Sequence, residues 1–378
     1  MLLEYGFKNF FSFREGAEIS FRLDKNCPES ISGGASFTPV LAVKGANAAG
    51  KSQVLRALGF LELFVADSFS QKDGIPLALR PHFKSEEPTS FFVEFMVGPN
   101  LYRYELEATQ TQVLRETIYR TKAKRIKLVE RLGNEIVHMP SSQTALQSVV
   151  LRSNASIVST LRQHRIDLLK EVADFFYDID SNIGYAGLYE SPSIGEIGKE
   201  VHGSSTLRRF VVNFLNRCDT GISDVRVLTR EKDDGETEYR TFFVHQSGGK
   251  GHLVSPMLES TGTVKLYKAL PAFHRVLKHG GVLVNDEFDM QLHPDILPLI
   301  VELFLDPLIN TGGGQLIFST HDAGLLDKLG RYRTYLVNKE ENESFTYRLT
   351  SIPGDILRND RAIRPVYEAG KIGGVPRL

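Results

Sequence analysis

The pattern of apolar and polar residues changes several times along the chain. Residues 1–40 alternate loosely between the two classes, which predicts two or three strands with antiparallel pairing. Residues 40–44 are apolar enough for a short buried strand, and residues 53–67 repeat apolar side chains at helical spacing. Three alternating segments follow at residues 90–97, 100–107 and 113–119. They predict an antiparallel meander.

The pattern changes after residue 138. Residues 139–216 show mainly helical spacing, interrupted by a stretch rich in Gly and Ser. Strands are predicted again around the turn at Asp233, Asp234 and Gly235, and two short apolar strands follow at residues 282–285 and 315–320. The pattern therefore predicts an α/β fold in three parts: an N-terminal lobe (1–138), a mainly helical insertion (139–216) and a C-terminal lobe (217–378).

Composition narrows the class of protein. The chain has 378 residues, 42% hydrophobic and 24% charged, with a net charge of −1, so it gives no global electrostatic reason to expect nucleic acid or an anionic membrane as a partner. Its two cysteines, Cys27 and Cys218, argue against a disulfide-stapled secreted protein. No apolar run is long enough to span a bilayer, and the first residues lack the features of a signal peptide. We therefore expect a cytoplasmic protein with no membrane span.

The loop at residues 45–52, Gly-Ala-Asn-Ala-Ala-Gly-Lys-Ser, fits the phosphate-binding pattern G-x-x-x-x-G-K-[ST] at every fixed position. Gly45 and Gly50 permit the tight turn that points backbone N–H groups inward, and the following helix adds the positive end of its dipole. In this chemistry Lys51 reaches the β- and γ-phosphates and Ser52 holds Mg²⁺. The strand and helix predicted on either side are the context that such a loop requires.

Two further strand ends carry side chains suited to phosphate chemistry. Asp286 and Glu287 end the apolar strand at 282–285, where the first carboxylate could help to hold Mg²⁺ and the second could polarise a water molecule. His321 ends the strand at 315–320 and could hydrogen-bond a γ-phosphate. Ligands of open α/β sheets bind at the carboxyl ends of strands, so we expect these residues to meet Gly45 at one sheet edge.

Residues 258–263, Leu-Glu-Ser-Thr-Gly-Thr, open a predicted helix. Small hydroxyl residues and a glycine at a helix N-terminus suit either an N-cap or an anion site. By itself this segment favours the N-cap. Its order relative to the phosphate loop, the acidic pair and His321 favours the anion site.

In this combination the chain resembles the ABC-type ATPases of the non-transporter branch, which includes RecF, SMC proteins and the ATPases of bacterial abortive-infection and anti-phage systems. Residues 45–52 match the Walker A motif, residues 282–287 match Walker B, and residues 259–263 look like the signature. Residues 290–294 occupy the place of the D-loop, and His321 is similar to the switch histidine. The resemblance implies an ABC-type ATPase head: a P-loop core with a mixed sheet, an antiparallel β subdomain and here a helical insertion.

The resemblance also implies a mechanism. ATP and Mg²⁺ would be the cofactors, and a slow or partner-regulated ATPase would work as a homodimer or higher homo-oligomer. The implied ATP-binding residues are Gly45, Asn47, Gly50, Lys51 and Ser52 of one subunit with Ser260 and Gly262 of the other; Ser52 and Asp286 would hold Mg²⁺, and Glu287 and His321 would be catalytic. Resemblance to the compact ATPases of phage-defence operons, such as PARIS, implies a separate effector protein, for example a nuclease toxin, and a phage-encoded trigger.

Two motifs depart from the family pattern. The signature has Ser-Thr-Gly in place of Ser-Gly-Gly. The Q-loop has no obvious glutamine, because none lies between Pro76 and Ala108, which leaves His82, Phe83, Lys84 and Glu94 as substitutes. The scheme for positioning water is therefore less defined than the phosphate loop.

Two other functions stay open at this stage. A RecF-like or SMC-like DNA-binding ATPase in DNA repair would need a basic groove or a long coiled-coil arm, and only the basic run at residues 115–131 points that way. A nuclease fused to the ATPase would need a metal-binding acidic cluster, for which Asp178-Ile-Asp180 is the one candidate, without an identifiable glutamate partner. The alternative for that pair is an ordinary helix end.

Overall fold

The computed structural model of the protein describes residues 1–143, 146, 148–358 and 361–375; the rest of the predicted insertion and C-terminal lobe lies outside that description. The strands are β1 (Leu2–Lys8), β2 (Ala17–Ser20), β3 (Val40–Gly45), β4 (Thr89–Val97), β5 (Asn100–Ala108), β6 (Val113–Thr121), β7 (Arg125–Leu132), β8 (Glu135–His138), β9 (Ile179–Ser181), β10 (Ile183–Gly184), β11 (Gly187–Leu188), β12 (Ile222–Glu231), β13 (Thr237–Ser247), β14 (Lys250–Val254), β15 (Val282–Asn285), β16 (Gln315–Thr320), β17 (Thr334–Glu340) and β18 (Glu343–Arg348). The α-helices are α1 (Glu29–Ser32), α2 (Lys51–Asp67), α3 (Ile157–Gln163), α4 (Lys170–Tyr177), α5 (Ile194–Gly203), α6 (Ser205–Arg217), α7 (Thr261–His279), α8 (Ile296–Leu305), α9 (Leu325–Leu329) and α10 (Arg364–Glu368).

A six-stranded mixed sheet carries the predicted phosphate loop. Its strand order is β18-β17-β3-β16-β15-β9, in which β18 is antiparallel to its neighbour and the other strands run parallel. Every residue of β3 and of β16 is buried. Such continuous burial is typical of parallel strands that are covered on both faces. The apolar runs of the sequence therefore give the central strands of the sheet.

A second, antiparallel sheet is built from the alternating segments. Its order is β2-β1-β4-β5-β6-β7-β8, and burial alternates along β4, as expected for a sheet with one face on the core. The predicted meander of three strands is confirmed as β4, β5 and β6. Together with the mixed sheet, it confirms the predicted ABC-type ATPase architecture of a P-loop core and an antiparallel β subdomain.

Helix α2 is the central helix of the fold. It contacts strands of both sheets, including β1, β3, β15, β16 and β9, and it also packs against α3 and α4. Its buried residues lie around most of its circumference, among them Leu55, Ala57, Leu58 and Phe60. A helix that is apolar on nearly all sides belongs inside a domain, and this packing fixes the direction in which the preceding loop faces.

The chain divides into two compact units. The first contains Met1–Leu188, Gly280–Phe288 and the chain from Gly313 onwards, and it holds both large sheets and α2. The second contains Tyr189–His279 and Asp289–Gly312. Within it, α5 and α6 pack on the sheet β12-β13-β14, while Arg217 of α6 donates to Glu302 of α8.

The predicted helical insertion contains α3, α4, α5 and nearly all of α6, but it is divided between the two units at Leu188. It also contributes β9, a strand of the mixed sheet that the helical pattern did not predict. The boundaries at residues 138 and 216 therefore remain a proposal about functional organisation.

Candidate nucleotide-binding site

The phosphate loop lies between β3 and α2. Ala48 has φ of 60° and Gly50 has φ of 116°, so both occupy the left-handed region that a tight loop requires. At Gly45 an added Cβ would lie 2.4 Å from the carbonyl oxygen of Val337, which leaves no room for a side chain. The N-cap of α2 is Gly50, which has no side chain to cap the helix, so no capping side chain takes the place where an anion would meet the helix N-terminus.

Lys51 folds back over this loop. Its Nζ donates to the carbonyl oxygens of Gly45 and Ala46, each at 3.0 Å, and the residue is only 7% exposed. Ser52 is half-buried beside it, whereas Asn47 is exposed at the tip of the loop. The chain thus gathers the predicted phosphate ligands at one short turn.

The acidic pair follows β15 and is held by Ser319 of β16. The Ser319 hydroxyl donates to Oδ1 of Asp286 at 2.5 Å and accepts from the backbone N–H of Glu287 at 2.9 Å. Asp286 and Ser319 are both buried, and Glu287 adopts φ of 53°, which is uncommon for a residue with a side chain. Such a backbone persists only where its surroundings impose it, and here the Ser319 bonds do so.

Asn182, which follows β9, holds the same turn from the other side. Its side-chain oxygen accepts from the Asp286 N–H at 2.7 Å, and its amide nitrogen donates to the Asp286 carbonyl at 3.0 Å. Sequence reasoning missed both Asn182 and Ser319. Only the position of Ser319 next to a predicted strand end could have indicated it, because Asn182 lies 104 residues from Asp286.

His321 follows β16, and its residue is exposed. Its backbone carbonyl accepts a hydrogen bond of 2.7 Å from Nζ of Lys44, the residue before the phosphate loop. Because β3, β16 and β15 are adjacent parallel strands, their carboxyl ends lie at one edge of the sheet. Gly45 ends β3, His321 follows β16 and Asp286 follows β15 at this edge. The structure therefore brings the predicted Walker A, Walker B and switch residues to the same edge.

The signature segment lies in the second unit. The Ser260 hydroxyl accepts from the Thr263 N–H at 3.1 Å, so Ser260 is the N-cap of α7. An added Cβ at Gly262 would lie 2.5 Å from the carbonyl oxygen of Gln291, so this glycine allows the predicted D-loop backbone to approach the helix. Just before the cap, Met257 is 92% exposed and Leu258 is 80% exposed. Glu259 accepts from His245 Nε2 at 2.5 Å.

The Q-loop candidates separate into two places. Phe83 and Lys84 line a cavity of about 720 Å³ together with Gln53, which directly follows Ser52, and with Gln110. His82 contacts the Phe11 carbonyl, while Glu94 is ion-paired with Arg103 in the antiparallel sheet. Gln110 lies two residues after Ala108, so a glutamine just outside the interval Pro76–Ala108 lines this cavity.

The basic run at residues 115–131 is largely engaged within the fold. Arg115 and Lys127 pair with Glu130, Arg125 lies 3.8 Å from Glu105, and Arg131 is fully buried with Glu116. Four of its seven basic residues are therefore used in ion pairs. These ion pairs favour a structural role for the basic run over a groove that binds nucleic acid.

The Asp178-Ile-Asp180 pair lies at a helix end, as the simpler interpretation expected. Asp178 is the C-cap of α4, and Asp180 lies in β9. The charge of Asp180 acts on Glu62 of α2, a glutamate that the sequence did not connect with it. Within the residues described above, no cluster of three or more His, Cys, Asp or Glu side chains could hold a metal ion.

Magnesium does not require such a cluster. It is usually bound through one or two protein oxygens together with substrate phosphates and water. The Ser52 hydroxyl and the Asp286 carboxylate are oxygen donors of this kind. Ser52 lies in the first turn of α2, and Asp286 follows β15. Their chemistry suits a Mg²⁺ ion that arrives with a nucleotide.

Among solved structures, the chain is similar to the Smc head domain with an extended coiled coil bound to the C-terminal domain of ScpA, from Pyrococcus furiosus. The two chains share 12% sequence identity, and the TM-score is 0.45. The similarity covers 93% of this chain and 97% of that chain. No curated protein matches the chain. In the described part of the chain, no helix combines the length and the apolar character needed to cross a membrane.

Residues 40–327, well over half of the chain, match the family described as "AAA domain, putative AbiEii toxin, Type IV TA system". The match spans the phosphate loop, the signature segment, the acidic pair and His321. The predicted relationship to ATPases of the abortive-infection branch is confirmed. The chain belongs to this family and is an ATPase of the AAA/ABC type.

Proposed function

We propose that the chain is the regulatory ATPase of a bacterial anti-phage, abortive-infection system in the cytoplasm. In this proposal it dimerises around ATP, responds to a trigger such as a phage-encoded product, and controls a separate toxic effector. The observation that carries the proposal is the shared sheet edge at which the loop of Lys51, the acidic pair and His321 lie. Membership of a family described by a toxin and a Type IV toxin–antitoxin system supports a place in a system of that kind.

The residues have distinct proposed roles at this edge. Lys51 and the N–H groups of α2 would bind the phosphates, and Ser52 and Asp286 would hold a Mg²⁺ ion, which would supply positive charge beside the phosphate oxygens. Glu287 accepts a proton from the attacking water, and His321 donates to the γ-phosphate. Ser319 and Asn182 fix the turn of the acidic pair through the hydrogen bonds described above.

The second half of the proposed site comes from the partner subunit. Ser260 and Gly262 sit at the exposed start of α7, where a phosphate would meet the positive end of the helix. A Gly262 substitution is a poor test of this idea, because any Cβ there meets the Gln291 carbonyl oxygen. Ser260→Asp is sharper, since aspartate caps a helix as well as serine does and adds a negative charge that repels phosphate.

The test mixes two inactive variants, Lys51→Ala and Ser260→Asp. Each alone should lose ATP turnover by about 100-fold or more, as when one charge-stabilising group is removed. Random exchange makes half of the dimers mixed, each with one intact site, so turnover should return to about one quarter of wild type. Ser260→Asn keeps the cap without the charge and should retain most of the activity.

The same variants test the regulatory part in cells. Each single variant should abolish protection against phage, and co-expression of the two should restore it in part. A mixture that stays inactive, although differently tagged subunits co-purify, would rule out the site shared between subunits. Full protection by Lys51→Ala would rule out control by ATP.

A further inference from the structure

The turn that begins at His321 contacts a segment near the C-terminus, residues 363–375, here called the C-terminal segment. Lys44 connects the two. It is 1% exposed, its Nζ donates to the His321 carbonyl at 2.7 Å, and the same Nζ lies 4.8 Å from the centroid of the Tyr367 ring. A cation this close to an aromatic face is attracted to it, so the ring helps to fix the ammonium group that holds His321.

The Tyr367 ring is itself firmly placed. Its hydroxyl donates to the Gly374 carbonyl at 2.8 Å, and the Gly374 N–H donates to Asn338 of β17 at 2.7 Å. Tyr347 of β18 donates to the Ile372 carbonyl at 2.5 Å. The C-terminal segment therefore closes on itself and is attached to the two strands at the end of the mixed sheet.

A second, independent contact lies on the other side of His321. Asp327 of α9 accepts from the N–H groups of Ile363, at 2.5 Å, and of Arg364, at 3.0 Å, where α10 begins. Leu326 packs in one apolar cluster with Ile363 and Tyr367. Lys44 of β3, which holds the His321 carbonyl, and α9, which follows His321, thus both contact the C-terminal segment.

We infer that the C-terminal segment is a positioning element for His321. It acts through Lys44 of β3 and through Asp327 of α9. This inference rests on the proposed ATPase function of the same site. The His321 residue is exposed, so its backbone must be held for the imidazole to meet a phosphate reproducibly. Lys44 also directly precedes Gly45, so one buried side chain sets the relation between the phosphate loop and the His321 turn.

The experiment measures steady-state ATP hydrolysis by the full chain. Lys44→Met, Tyr367→Leu and Asp327→Ala should each lower kcat by about 10- to 100-fold, the size expected when a reacting group is displaced by about 1 Å. The KM for ATP should change by less than about twofold, because phosphate binding itself is left in place. Asp327→Asn keeps an accepting oxygen and should stay close to wild type. Tyr367→Phe keeps the ring but loses the hydrogen bond to Gly374, so it should lower kcat less than Tyr367→Leu does.

The decisive readout is the His321→Ala background. There the same substitutions should cause no further loss, because they act only through His321. Losses that persist in that background, or an unchanged kcat in the single variants, would overturn the inference. Asp327 is exposed, so Asp327→Ala decides the matter if Lys44→Met fails to fold.

Two other outcomes have separate meanings. A wild-type chain that does not hydrolyse ATP would contradict the proposed function itself. Full turnover by His321→Ala would leave the ATPase intact and overturn only the inference about positioning.

Discussion

Helices α2 and α7 both begin at segments that the sequence assigns to phosphate binding, and the chain holds their first turns in different ways. The start of α2 has no side-chain cap, and Lys51, its first residue, is buried. The start of α7 is capped by Ser260, and its first five residues include no buried one. The first helix end is enclosed but has no side-chain cap on its N–H groups, whereas the second is capped but exposed.

This difference matches the two halves of the proposed composite site. An enclosed loop can organise phosphates by itself, since its geometry is imposed by the surrounding sheet and by hydrogen bonds. An exposed helix end is held lightly and gains a role only when another chain brings a ligand to it. The exposed Met257 and Leu258 before the cap are consistent with such a surface.

The largest effect that tests this contrast concerns Glu62, a half-buried residue in the middle of α2. Burial, followed by the negative charge of Asp180, raises the pKa of Glu62 from 4.5 to about 8. The folded chain therefore keeps this proton to about pH 8, while the unfolded chain loses it near pH 4.5. The resulting stability is fully present below pH 4.5 and is lost as pH rises to 8, by at most about 4 to 5 kcal/mol.

Glu62→Gln cannot titrate, so its free energy of unfolding should fall less than that of wild type between pH 5 and pH 9. Denaturant unfolding at several pH values measures the difference between the two proteins. Glu86→Gln, at an exposed position, is the matched control and should follow wild type. Parallel pH curves for Glu62→Gln and wild type would show that α2 is less enclosed than its packing indicates.

A smaller effect is expected at Ser319, which holds the acidic pair. Ser319→Ala leaves the Asp286 carboxylate and the Glu287 N–H without this hydroxyl in a buried place, and it should cost about 2 kcal/mol of stability. Ser70 offers a matched control, because its hydroxyl also donates to an aspartate, Asp67, but at the surface. Ser70→Ala should cost less than about 0.5 kcal/mol.

Urea unfolding of both variants provides the measurement. Equal losses in the free energy of unfolding for Ser319→Ala and Ser70→Ala would mean that burial of the Ser319 hydroxyl does not stabilise the sheet edge. A loss confined to Ser319 would support an edge that the folded chain prepares before any ligand binds.

Sequence patterns predicted the enclosed half of the site well. The strand at 40–44 and the following helix correspond to β3 and α2, and the apolar runs before Asp286 and His321 correspond to β15 and β16. Continuous apolar runs and helical spacing are local patterns, so they can be recognised without knowledge of the fold. An N-cap at residues 258–263 was one of the two interpretations that the sequence left open, and Ser260 takes that position.

The contacts that hold these residues were not predicted. Strand β9 has three residues inside a segment with helical spacing, and its pairing depends on β15, about a hundred residues later. The bonds of Asn182 to Asp286 and of Lys44 to His321 span 104 and 277 residues. Interactions at such separations produce no periodic pattern in the sequence. A polar residue beside a strand can also be explained in many other ways, so its type alone does not indicate its partner.

The smallest expected effect concerns the exposed end of α7. Ser260→Ala removes the hydroxyl that accepts from the Thr263 N–H, and loss of a cap costs about 1 kcal/mol. Because no residue of the first turn is buried, this cost should appear as local fraying. The Thr263 amide should then exchange with solvent about fivefold faster, the factor that corresponds to about 1 kcal/mol, while global unfolding changes little. Ser260→Asn retains a cap and should exchange like wild type. If Ser260→Ala lowers global stability without faster exchange at Thr263, the start of α7 is held by the body of its unit, and the contrast with α2 fails.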